Sequence, residues 1–173
     1  MASTSADEIE IGGYRPGALG DVIALHGRYY AEQWGLDAGF EAEVAQELAD
    51  FLGRLDPARD GFWVARSAGR TVGSISLDAS GADSSRGDAE AGARLRWFIV
   101  ADGLAGKGVG GRLMQACMAQ ARASAVGRVY LWTFEGLDAA RRLYDRFGFE
   151  LTETHLDEDW GTPVVHQKME LRF

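Results

Sequence analysis

Glycines at 106, 108, 110 and 111, with Lys107 among them, follow the apolar run from Leu95 to Val100 and open the helical pattern that begins at Val109. Glycine lets the backbone turn tightly and bring bare N–H groups to a place that a side chain would block. A helix start adds unpaired N–H donors and the positive end of its dipole, and Lys107 adds a formal charge. Together these suit a pyrophosphate. Taken alone, such a run can also be a plain strand-to-helix connection. No Gly-Lys-Ser/Thr follows, which excludes a Walker loop. A dinucleotide fold is disfavoured too: a hairpin precedes the strand, and no acidic residue ends the next strand at the expected place.

The elements that must position this loop are legible from periodicity. Ile9, Ile11 and Tyr14 alternate into a turn at Arg15-Pro16-Gly17, and a helix runs from Leu19 to Trp34-Gly35. A second helix has Phe40, Val44, Leu48, Phe51, Leu52 and Leu55 on one face and closes at Pro57. Phe62 to Ala65 and Val72 to Leu77 flank Ser67-Ala68-Gly69-Arg70 as an antiparallel hairpin. The small, polar residues 79 to 92 read as a loop. Then come a strand from Ala93 to Val100, the glycine loop, a helix from Val109 to Ala123 and a strand from Val129 to Phe134. A helix from Leu137 to Phe147, ended by Gly148, leads to strands at Phe149 to Leu156 and Val164 to Leu171. The order is βααβββαβαββ. The expectation is a polar tail over residues 1–8 and one domain over 9–173.

Length and composition agree. The chain has 173 residues, 46% hydrophobic and 25% charged, enough for one soluble core. A formal net charge of -8 argues against nucleic acid as a partner, which needs clustered Lys and Arg, and mildly favours cationic substrates. The start is polar and acidic and no long apolar run occurs, so no membrane partner is expected and a cytoplasmic location is. One cysteine, Cys117, excludes an internal disulfide, and no Cys/His spacing suggests a metal.

The segment Ala105-Gly106-Lys107-Gly108-Val109-Gly110 resembles the acetyl-CoA signature of the GNAT superfamily of N-acetyltransferases, Gln/Arg-x-x-Gly-x-Gly/Ala, with Ala105 where Gln or Arg is usual. Asp102 stands where the family often has proline. Ala140, Leu143, Tyr144, Gly148 and Phe149 match the family's later signature, with Leu137 in place of its Asn. A looser resemblance is to acetyltransferase domains fused to MarR-type winged-helix regulators, through Gly13-Tyr14-Arg15-Pro16-Gly17, Arg96-Trp97-Phe98, Tyr130-Leu131-Trp132-Thr133 and Trp160-Gly161; no DNA-binding module is read in this sequence.

The resemblance implies an α/β (α+β) fold: a mixed, mostly antiparallel seven-stranded sheet with four helices and splayed fourth and fifth strands. It also implies transfer of an acetyl group from acetyl-CoA, without a metal, to a primary amine by direct attack. The cofactor would lie on the backbones of Phe98 and Val100 and on Ala105, Gly106, Lys107, Gly108, Val109, Gly110 and Gly111. Tyr144 would donate a proton to the departing thiolate. Glu135 is the first candidate for the proton acceptor, with Glu32, His26 and His155 as others; Cys117, on an apolar helix face, is a poor nucleophile. The acceptor wall would include Tyr30, Trp34 and Trp132, with Tyr29, Gln33 and Trp160 nearby. A small-molecule amine is the leading acceptor. A protein N-terminus or lysine, a non-catalytic acyl-CoA sensor, and a homodimer stay open.

Overall fold

The computed structural model describes residues 8–79, 92–104 and 106–173; most of the tail, most of the loop expected at 79–92, and Ala105 lie outside the described residues. The elements are β1 Glu10–Gly12, α1 Ala18–Trp34, α2 Ala38–Arg54, β2 Gly61–Ser67, β3 Arg70–Asp78, β4 Ala93–Val100, α3 Val109–Ala123, β5 Arg128–Phe134, α4 Asp138–Phe147, β6 Glu150–Asp157 and β7 Val164–Arg172. This is the element order read from periodicity. One seven-stranded sheet results, ordered β1-β2-β3-β4-β5-β7-β6. Every neighbouring pair is antiparallel except β4 and β5.

Helices cover both faces, so side-chain alternation divides the core in two. On one face Ala65, Ile75, Leu77, Leu95, Leu131 and Met169 pack under Leu113, Met114 and Cys117 of α3 and Leu143 and Tyr144 of α4. On the other, Phe62, Val64 and Phe134 meet Val22 of α1 and Phe40, Val44, Leu48 and Phe51 of α2. The Asp37 carboxylate caps α2 by accepting the Gly39 N–H at 2.8 Å. Arg96 of β4 then anchors that helix, ion-paired to Glu47 of α2 and lying 3.6 Å from Asp78 of β3. Asp78 also accepts from Arg54 of α2 at 2.6 Å.

Strand β4 carries the irregularity that makes a site possible. Its pairing with β3 shifts register between Ser74 and Ser76, and Trp97 opposite has φ +47°. The Ser74 hydroxyl donates to the Trp97 carbonyl at 2.6 Å and holds the bulge. Ala93 and Leu95 pack under α3, Trp97 turns to the α1/α2 core, and Phe98 and Val100 return to the α3 side. On the opposite edge, β4 pairs with β5 only through Ala93–Val129 and Arg94–Tyr130. Beyond Arg94 the two strands part, which is the splay the resemblance implied.

Leu48 is fully buried where α2 meets the sheet. Leu48→Ala is expected to lower unfolding free energy by about 3 kcal/mol, a lost side chain plus a cavity, read as a lower urea midpoint at unchanged slope.

Candidate active site

The gap between β4 and β5 opens into a cleft of about 770 Å³ that runs from the N-terminus of α3 to the α1/α2 layer. At one end lie Gly106, Gly108, Val109, Gly110 and Gly111. Gly106 and Gly108 have φ of +78° and +74°, conformations that favour glycine, and Gly108 is the N-cap of α3 with no side-chain cap. The capping ladder begins with the Arg112 N–H donating to the Gly108 carbonyl at 3.0 Å, so the N–H groups of Gly110 and Gly111 have no backbone acceptor among the described residues. A Cβ built at Gly106, Gly108 or Gly111 would meet nothing within 4 Å, whereas one at Gly110 would lie 3.2 Å from the Phe98 ring. The cradle is therefore open toward the cleft, with its helix packed close on β4. Orphan donors with free space in front fit a pyrophosphate.

Phe98, Ile99 and Val100 form the next stretch of wall, on the β4 edge that β5 leaves unpaired. Such an edge can accept an extended amide-bearing chain as an added strand. Tyr144 of α4 closes this side, its ring 6.0 Å from those of Phe98 and Phe149. Burial, with a smaller contribution from Tyr30, pushes its hydroxyl well above the ordinary value, so it stays protonated and able to donate. Leu137 is the N-cap of α4 and supplies no side-chain cap. It lines the cleft instead.

The far end is walled by aromatic rings. Tyr29 and Tyr30 of α1, Phe40 of α2, Trp97, Trp132 and Phe134 of the sheet, and Trp160 from the β6–β7 turn all line it. The Trp160 indole donates to Glu43 of α2 at 2.6 Å, and the Asp37 N–H donates to the Trp160 carbonyl at 3.4 Å, tying that turn to α2. His26 of α1 also lines the cleft, its ring 6.2 Å from that of Tyr30. Its Nδ1 lies 2.8 Å from the Val22 carbonyl, which can only accept, so the proton sits on Nδ1 and Nε2 keeps its lone pair.

The structure brings together Phe98, Val100, the glycines, Val109, Tyr144, Tyr30 and Trp132 from the sequence-derived set. Ala105 lies outside the described residues. Lys107 is exposed beside the cradle and is not in the lining. Glu135, the first candidate for the proton acceptor, is exposed outside the cleft: Trp132 and Phe134 turn to the cleft, and strand alternation sends the next side chain away. Trp34 stands behind the wall, 5.5 Å from the Phe134 ring. Glu32, Gln33 and His155 do not line the cleft either. The Cys117 thiol is fully buried, and burial raises it far above its ordinary value, which leaves no thiolate to attack. Missed from sequence were Trp97, whose direction depends on the bulge, and His166, whose neighbour across the ladder, Phe134, depends on which strand lies beside β5. The alternation of Val164, His166 and Lys168 is the one sequence signal that marks His166 as sharing a face with a core residue.

Burial lowers the His26 pKa from 6.5 to about 4, the Val22 hydrogen bond opposing this only in part. The unfolded chain therefore binds more protons between those values, so stability falls as pH drops through that window. Unfolding free energy should decline by about 3 kcal/mol more between pH 7 and 4 in the unsubstituted protein than in His26→Gln, measured by urea titration at each pH. Equal declines would show that His26 is not buried neutral.

No described helix is long and apolar enough to cross a membrane. No curated protein sequence matches the chain significantly. Solved structures do: a protein of Salmonella typhimurium described as an acetyltransferase, bound to its cofactor acetyl-CoA, superposes with TM-score 0.73 at 16% identity, over 95% of this chain and 93% of that one. A protein described as a phosphinothricin N-acetyltransferase gives 0.70 at 15%, over 96% and 99%. Ribosomal-protein-alanine N-acetyltransferase of Brucella melitensis gives 0.71 at 18%, over 95% and 99%. At these identities the likeness establishes the fold. The sequence model of the Acetyltransferase (GNAT) family matches residues 21–149, and the chain belongs to that family, whose co-substrate is acetyl-CoA.

Proposed function

We propose that the protein transfers the acetyl group of acetyl-CoA to the primary amine of a small molecule. The observation that carries this reading is the single cleft joining the glycine cradle and Tyr144 at one end to an aromatic-walled chamber at the other. The N–H groups at the start of α3 would hold the pyrophosphate, and the unpaired edge of β4 at Phe98 and Val100 would pair with the pantetheine amides. The acceptor nitrogen, entering as the neutral amine, attacks the acetyl carbonyl carbon. A C–N bond forms as the C–S bond breaks, and Tyr144 gives its proton to the leaving sulfur. The proton lost by the amine passes to solvent and Tyr144 is reprotonated, so the charge balances. A flat or apolar amine suits the rings of Tyr30, Trp97 and Trp132. Trp160, tied to α2 through Glu43, forms part of the chamber wall, which favours a small acceptor over a protein chain. One of the solved structures of similar fold is described as a phosphinothricin N-acetyltransferase, in line with this reading.

Thiol release from acetyl-CoA across a panel of small amines tests it. Turnover on at least one apolar or aromatic amine is expected. Tight binding of acetyl-CoA with no turnover on any amine or peptide would make the chain a sensor, and turnover on peptides alone would make it a protein acetyltransferase. Tyr144→Phe should lower kcat about 100-fold with acetyl-CoA affinity nearly unchanged. Gly108→Glu, which adds a side chain and a negative charge to the cradle, should remove measurable acetyl-CoA binding by calorimetry; retained affinity would place the pyrophosphate elsewhere.

A further inference from the structure

The β6–β7 hairpin brings together side chains that no local spacing links. His155 and His166 face each other across the antiparallel ladder, and Asp157 lies two residues beyond His155 on the same face. The imidazole rings stack with centroids 5.0 Å apart and planes 21° apart. His166 Nε2 lies 3.6 Å from an Asp157 oxygen. One ligating atom from each of the three falls within 4.8 Å of the other two, and no other set of three His, Cys, Asp or Glu does so among the described residues.

We propose that His155, Asp157 and His166 form a binding site for a divalent transition-metal ion of the zinc type. Two imidazoles and one carboxylate are a donor set for zinc, whereas calcium and magnesium favour shells built from oxygen. Tetrahedral zinc places its ligand atoms about 3.4 Å apart, so a bound ion would draw together atoms that now lie within 4.8 Å of one another. His166 is the fixed point. It is 2% exposed and is held between the rings of His155 and Trp160, the latter 5.2 Å away and nearly parallel. His155 and Asp157 are only partly buried, and the His155 ring also packs on that of Trp132 at 5.1 Å. Three protein ligands leave one position for water. His166 and Trp160 also line the acceptor chamber. A bound ion would therefore brace the hairpin that closes that chamber, and acetyl transfer itself would proceed without it.

The chain makes the test clean. Its only other histidine is His26, on α1, and its one cysteine is fully buried. Untagged, full-length protein titrated with zinc sulfate by calorimetry should bind one ion per chain, and zinc should raise the unfolding temperature. His155→Ala should weaken zinc affinity about tenfold or more and remove the temperature shift. Asp157→Asn, which keeps the shape and removes the charge, answers the same question should His155→Ala fail to fold as judged by circular dichroism without zinc. Absence of zinc binding by the unsubstituted protein, or affinity unchanged in the folded variant, would overturn the proposal and leave the cluster an aromatic stack with an acid–histidine contact.

Discussion

Two residue pairs hold β4 to β5, and everything functional follows from how few they are. A parallel pair that continued to Val100 and Phe134 would fill the center of the sheet and leave no cleft. Instead the bulge at Trp97, held by the Ser74 hydroxyl, bends β4 away just past the shared pairs. The departure leaves peptide groups of β4 facing a cavity rather than a neighbouring strand. Buried backbone groups without partners are costly, so such an edge is matched to a ligand that itself carries amides. The same bend brings Phe98 against Gly110, and so sets the start of α3 at the mouth of the gap.

Around that gap the molecule is held in two different ways. The donor end rests on backbone: glycines in left-handed conformations, unpaired helix donors and the open strand edge. The acceptor end rests on side chains, with Arg96 between Glu47 and Asp78 fixing α2 over the sheet and the Trp160–Glu43 bond drawing the β6–β7 turn across. On the proposed reading, backbone recognition would tolerate side-chain changes such as those at Ala105 and Leu137. A wall made of rings is different, since each ring sets the shape of the chamber, and acceptor choice would follow from it.

This division explains what could be read from the sequence. The element order, the glycine cradle and Tyr144 are local: period, turn chemistry and a short motif suffice to place them. The sides to which Trp34 and Glu135 turn are not legible locally, because strand alternation and the packing of the Phe134 ring decide which way each faces. Trp97 depends on a bulge, which composition does not mark. The meeting of His155 and His166 depends on the register of β6 against β7, and their approach to the chamber depends on β7 lying beside β5. Long-range pairing of this kind leaves little trace in a single chain.

On the proposed reading, acetyl-CoA occupies the gap as a strand occupies a sheet. Hydrogen exchange with and without acetyl-CoA tests this most directly. Slowed exchange is predicted for amides of β4 beyond Arg94 and for those of Gly110 and Gly111, with β1 and β2 unchanged. Binding of acetyl-CoA that leaves the β4 amides exchanging at their free rate would contradict it.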